Sequence, residues 1–248
     1  MQNIKIRDIK REALTLLRGN WTTGIGVNFF FLLIAIGIEI LNNLEEIVLD
    51  RVEYSIILLI IFTIIFVILN ITFTTVNTMG NFACFLDLAK GKPLTVSNYS
   101  HGFKYMETAF RIGGAFSLFT FLWALLLVIP GIIKSVSYSM AFFIGIEYPE
   151  ITGRDALKLS SKLTDGYKWT IFWFSIHFLG WIILSVLTFG IGWLWLGSYT
   201  DTSFSLLYLK LKRNKYEIFK EIDEEYFLKC ENNEDIDEDY FDEEDYDL

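Results

Sequence analysis

Long apolar runs without charges constrain this chain more than any other feature of its sequence. Residues 54–76 give 23 consecutive uncharged positions, and an α-helix needs about 20 mostly apolar residues to cross ~30 Å of hydrocarbon. Five further runs approach this length, at 21–38, 112–129, 131–146, 169–191 and 192–209. The sequence therefore predicts an all-α polytopic membrane protein with about six transmembrane helices within residues 21–212.

The fourth run, 131–146, is the least regular of the six. It follows the Pro130-Gly131 pair, which breaks helices, and it contains Lys134. Two interpretations remain open at this point: the segment spans the bilayer fully, or it is re-entrant.

The distribution of basic residues predicts the orientation of these spans. Cytoplasmic loops of membrane proteins retain Lys and Arg. With six spans and a cytoplasmic N-terminus, 19 of the 21 basic residues fall on the cytoplasmic side, and only Arg51 and Lys134 fall outside. We therefore expect a multi-pass protein whose N- and C-termini are both cytoplasmic.

The acidic residues are concentrated at the C-terminus. Residues 217–248 carry 16 acidic residues against two lysines, so the net charge of −9 is a property of this region. Such a composition cannot bury enough apolar surface to fold, which predicts a disordered cytoplasmic tail over 213–248. The tail would either dock a basic cytoplasmic partner or act as a solubilising extension that anionic lipids repel. Its charge disfavours binding to nucleic acid.

The N-terminal segment, residues 1–20, has the pattern of an amphipathic helix. Apolar Ile6, Ile9, Ala13 and Leu16 recur at helical spacing among five basic residues. This pattern predicts a helix that lies on the membrane surface. The alternative is a cytoplasmic helix that packs on its own protein.

Short sequence signals predict the connections between helices. Pro130-Gly131 and Gly190-Ile191-Gly192 indicate very short outer turns, so spans three and four, and spans five and six, should form antiparallel hairpins. Thr152 to Asp155 resembles a capping box that begins a helix running to Leu163.

Several motifs occur in an order that is similar to one known family. They are Ile6-Arg7-Asp8-Ile9-Lys10-Arg11-Glu12-Ala13, Leu17-Arg18-Gly19-Asn20-Trp21, Ile129-Pro130-Gly131-Ile132-Ile133-Lys134, Ala156-Leu157-Lys158-Leu159-Ser160 and Asp165-Gly166-Tyr167-Lys168. Over residues 4–212 the chain resembles the family called domain of unknown function 975. The resemblance implies an integral membrane protein of the bacterial plasma membrane. It implies no catalytic residue, because the biochemical role of the family is not settled.

The residues themselves carry no enzyme signature. Hydrolase, metalloprotease and nucleotide-binding motifs are absent, and the two cysteines and two histidines do not cluster. We therefore expect a protein that is not an enzyme, without a cofactor or a metal centre.

Ionisable groups within the apolar runs are the remaining candidates for a functional site, because each is costly in hydrocarbon unless it is paired or hydrated. Asp201 lies about 14 Å below the outer turn at ~1.5 Å per residue, and His177 reaches a similar depth on the neighbouring span. The two would form a proton or cation site if they meet. Alternatively, Asp201 fixes helix packing through Tyr138, Asn70 or Asn77. Lys134, near the outer surface, has Glu39 as its natural partner.

These observations support two functional hypotheses. The first is a non-enzymatic accessory or protective, immunity-like membrane protein that acts through helix contacts with another membrane protein. The alternative is a small-solute or ion transporter or channel that uses Asp201, His177 and Lys134.

Overall fold

The structure, a computed structural model, describes residues 4–49, 56–94, 104, 106–126, 128–188 and 190–220. Nine helices of seven or more residues fall in these ranges: α1 Ile6–Leu17, α2 Trp21–Leu49, α3 Ile56–Ala89, α4 Met106–Leu126, α5 Val128–Tyr138, α6 Ala141–Glu147, α7 Gly153–Thr164, α8 Lys168–Leu187 and α9 Ile191–Asn214. No strand occurs among the described residues, so the predicted all-α fold is confirmed. Of the predicted disordered tail 213–248, residues 213–220 are ordered: α9 ends at Asn214, residues 216–220 are helical and Phe219 is buried. The acidic residues from 221 onward lie outside the described residues.

Three helical segments in the described part are long and apolar enough to cross a membrane: Ile60–Ala89, Met106–Leu125 and Lys168–Leu187. They correspond to the second, third and fifth predicted spans. Trp21–Leu33, in the first predicted span, is a shorter apolar segment. Three of the six predicted segments are thus helices whose length and apolarity suit a membrane span.

Large apolar side chains cover the outer surface of these helices. On α4, Leu118, Phe121 and Leu125 are 62%, 66% and 72% exposed, and on α8 Val186 and Leu187 are about 70% exposed. A surface of this kind is too extensive and too apolar for a monomeric protein in water. It fits a chain that is solvated by lipid.

The fourth predicted span is divided into two helices. Helix α5 ends at Tyr138 and α6 begins at Ala141, so the run 131–146 is not one straight helix. Helix α5 folds back on α4 as predicted, and a Cβ added to Gly131 would lie 3.0 Å from the Cα of Ala124. The turn does not lie at Pro130-Gly131, because α5 already begins at Val128. Proline is tolerated in a first helical turn, where its missing N–H has no intrahelical acceptor.

The central helix of the bundle is α9, which packs against α1, α2, α3 and α8. Its second half lies in an aromatic core, where the rings of Phe143 and Tyr208 stack with centroids 5.3 Å apart. Helix α1 joins this core through Ile9 and Ala13, both of which are buried. The N-terminal helix therefore packs one face against the rest of the chain, chiefly against α9.

The predicted local signals at α7 and at the α8–α9 turn are confirmed. Thr152 is the N-cap of α7, and its Oγ1 accepts a hydrogen bond from the backbone N–H of Asp155 at 3.3 Å. Helix α9 begins one residue after Gly190, whose φ of 83° lies in the left-handed region that favours glycine.

Candidate functional site

Small polar residues line the buried face of α9. Ser198, Thr202 and Ser205 are fully buried, and each hydroxyl donates to the backbone carbonyl four residues earlier. These bonds satisfy the hydroxyl groups within the helix itself, and serine and threonine side chains are small. Because small side chains let backbones approach closely, this face can pack directly against α2 and α3.

Asp201 lies on this face and binds α3. Its Oδ2 accepts a hydrogen bond from Nδ2 of Asn81 at 2.7 Å. The Oδ1 atoms of Asn81 and of Asn77, one turn earlier, are buried without a hydrogen-bond partner in the described part of the chain. The sequence predicted a span-two amide as one partner for Asp201 but missed Asn81, the next amide along the same helix.

A second polar contact joins α9 to α2. Asn28 donates from Nδ2 to the Ser198 hydroxyl at 2.8 Å. The approach is close because Gly197 has no side chain, and a Cβ added there would lie 2.7 Å from Asn28 Oδ1. Asp201 and Ser198 therefore connect the central helix to two neighbours by hydrogen bonds.

The structure does not bring His177 to Asp201. His177 is exposed on α8, and its Nδ1 lies 2.6 Å from the carbonyl oxygen of Trp173, one turn earlier. Neither side chain hydrogen-bonds to the other within the described residues. The contact between Asp201 and His177 that the sequence left open is therefore not formed.

The other predicted site residues are also dispersed. Lys134 lies over the rings of Trp123 and Tyr138, at 4.9 and 5.7 Å from their centroids, and Glu39 is not among its contacts in the described part. Cation–π contacts of this kind stabilise an amine in apolar surroundings. Tyr138 is buried and Asn70 is half-buried on α3.

A carboxylate that the sequence did not single out lies at the end of α6. Glu147 is 8% exposed, and its two oxygens bind Lys90 and Lys212, each at 2.9 Å. The Tyr208 hydroxyl donates to the same carboxylate at 2.5 Å. Glu147 thus joins α6 to the end of α3 and to the last turns of α9.

The electrostatics of this cluster favour the ionised carboxylate. Burial raises the pKa of Glu147, but Lys90, Lys212 and the Tyr208 hydroxyl lower it, so that it falls from an ordinary 4.5 to about 2. Lys212 is further held between Tyr148 and Phe219, 5.3 Å from each ring centroid. The cluster is a fixed, hydrogen-bonded unit at neutral pH. The one sequence signal for it was an acidic residue directly after an apolar run.

No metal site is indicated in the described ranges, which contain no group of three His, Cys, Asp or Glu residues arranged to hold an ion. The buried polar contacts above are between side chains of the chain itself. These contacts can hold the helices at fixed distances and angles.

Comparisons with known proteins show similarity to one family over part of the chain. No curated protein and no solved structure matches the chain. Residues 112–215, from α4 to the end of α9, match the family described as protein of unknown function (DUF975). The resemblance to this family that the sequence motifs predicted is thereby confirmed over residues 112–215.

Proposed function

We propose that this chain is a six-span plasma-membrane protein with both termini in the cytoplasm, and that it acts without catalysis as an accessory or protective protein through helix contacts. The proposal is supported by where the polar groups lie. Asp201, Asn28 and Ser198 are used in packing between helices of the same chain, whereas the outer faces of α4 and α8 are apolar. The surface left for recognition is therefore the lipid-facing one.

The observation that supports this proposal most directly is a glycine on the exposed side of α8. Gly180 lies in the middle of α8 on its exposed side, and a Cβ added there would have no heavy atom within 4 Å. A glycine costs about 1 kcal/mol relative to alanine in a helix, and none of the described residues packs closely enough against Gly180 to require it. In membranes, small residues at a helix surface let a second helix approach closely. Gly180 marks the face of α8 that a partner helix would contact.

The test is purification of the full chain in mild detergent, with quantification of stoichiometric co-purifying membrane proteins. The proposal predicts such a partner, and it predicts that Gly180→Leu abolishes the association while the variant remains folded. Ile183→Leu, an apolar change on the same exposed side of α8, is the matched control and should retain the partner. A wild-type chain that is always recovered without a partner would contradict the proposal.

A transporter or channel remains the second candidate. Two buried amide oxygens, of Asn77 and Asn81, have no hydrogen-bond partner among the described residues, and both lie on α3, the helix to which Asp201 hydrogen-bonds. Oxygen atoms in such surroundings suit a proton or a small cation. The test is flux of protons and small ions into liposomes that contain the purified chain. Asp201→Asn should abolish flux, whereas Asp155→Asn, on the exposed face of α7, should not. Absence of flux in the wild type would remove this candidate.

A further inference from the structure

A cavity of about 740 Å³ opens beside the Glu147 cluster, between α1, the end of α3 and the last turns of α9. This volume lies within the range of about 300–1,000 Å³ that is typical of small-ligand sites. The walls of the cavity combine two kinds of surface, and their arrangement indicates a class of ligand.

One part of the wall is basic. Four basic side chains line the cavity, Lys90, Lys210, Lys212 and Arg213, against two acidic ones, Glu12 and Glu147. Glu147 is shared by Lys90 and Lys212, and Glu12 pairs with Lys210.

Arg213 is therefore the basic group at the wall that neither carboxylate engages. It is exposed in the last turn of α9. A guanidinium presents several N–H donors in one plane, which suits the oxygens of a phosphate better than a point charge does. The wall is net positive and carries a group suited to phosphate recognition.

The other part of the wall is apolar. Leu16, Ala89, Leu206 and Leu209 line it. Leu206 and Leu209 lie within the sixth predicted span, whereas Arg213 lies one turn beyond Leu209, on the cytoplasmic side of the predicted topology. A ligand in this cavity would meet cations at one end and hydrocarbon at the other.

We propose that this cavity binds the phosphate headgroup of an anionic phospholipid from the cytoplasmic leaflet, with Arg213 contacting the phosphate and the leucines contacting the start of the acyl chains. The site rests on the membrane location and orientation proposed above, but not on the partner or on transport. Basic pockets between membrane helices on the cytoplasmic side are physically suited to such headgroups, because the surface potential and the hydrophobic contact act on the same molecule. A free phosphate would use the basic wall only.

The experiment is native mass spectrometry of the full chain in detergent, titrated separately with phosphatidylglycerol, phosphatidylcholine and glycerol 3-phosphate. Phosphatidylglycerol should bind in preference to phosphatidylcholine, and glycerol 3-phosphate should not bind in the same range. Arg213→Gln should weaken phosphatidylglycerol binding by about tenfold, the lower end for loss of hydrogen bonds to a charged group. This change leaves the Glu147 and Glu12 ion pairs intact.

The matched control is Arg154→Gln, which removes the same charge from the exposed face of α7, away from the cavity. It should leave phosphatidylglycerol binding unchanged. Equal weakening by both substitutions would show nonspecific charge attraction and overturn the proposal. Equal binding of the two lipids would also overturn it, and binding of glycerol 3-phosphate as tightly as the lipid would assign the cavity to a soluble phosphate. All these outcomes are measured on the purified protein, and none of them requires a partner protein or transport. They can therefore be distinguished from a failure of the proposed function.

Discussion

Replacing Glu147 by glutamine tests whether the buried ion cluster holds α6 against the ends of α3 and α9. Glutamine keeps the shape and can still accept the Tyr208 hydrogen bond, but it leaves Lys90 and Lys212, which are only 17% and 19% exposed, without their shared carboxylate. The fall in the Glu147 pKa from 4.5 to about 2, at about 1.4 kcal/mol per unit, corresponds to about 3 kcal/mol. Removing one partner of a buried pair costs about 3–5 kcal/mol, which agrees with the free energy that the pKa shift implies.

The assay is thermal unfolding of the purified protein in detergent, followed by tryptophan fluorescence. For a chain of this length, about 3 kcal/mol should lower Tm by about 6–12 °C. Glu150→Gln, which neutralises an exposed glutamate three residues later, is the control and should leave Tm unchanged. A Tm for Glu147→Gln within about 1 °C of the wild type would refute the reasoning, because the cluster would then be solvated and unimportant for stability.

The pH dependence of the Glu147 cluster, the N-cap at Thr152 and the close approach at Gly153 can each be tested. Because the pKa of Glu147 is lowered in the folded state, its contribution is present above about pH 4.5 and is lost as the pH falls towards 2; the wild-type Tm should drop through that window more steeply than that of Glu147→Gln. Thr152→Ala removes the N-cap bond to Asp155 and should cost about 1 kcal/mol in chemical denaturation, whereas Thr152→Ser should cost little. Gly153→Ala places a Cβ 2.1 Å from the carbonyl oxygen of Arg111 and should cost about 2–3 kcal/mol, because backbone must move; an unchanged Tm would show that α4 and α7 are not in contact.

Features that depend on local sequence could be predicted from the chain. The N-cap at Thr152 and the turn at Gly190 each depend on a few adjacent residues, and both are confirmed. The hairpin of α4 and α5 was also predicted, but the break between Tyr138 and Ala141 was not. Its position is set by packing on α7, where Ser160 accepts a hydrogen bond from the backbone N–H of Met140 at 3.2 Å.

Features that depend on helix rotation or on long-range contacts could not be predicted. Helix α8 is apolar on all sides, so its sequence does not indicate which face is buried, and His177 lies on the exposed one. Asn81 meets Asp201 across 120 positions of sequence, and several amides on α3 were equally plausible partners. Glu147 meets Lys90 and Lys212 by contacts between α6, α3 and α9, which no local pattern encodes.

Labelling of cysteines with a membrane-impermeant maleimide tests the membrane topology most directly. The chain has two cysteines, of which Cys84 is fully buried and Cys230 belongs to the acidic tail. In intact cells Cys230 should not react, and it should react after permeabilisation. In a Cys230→Ser background, Thr188→Cys in the α8–α9 turn should react in intact cells. Reaction of Cys230 in intact cells, or no reaction at position 188, would contradict a bundle that crosses the bilayer with both ends in the cytoplasm.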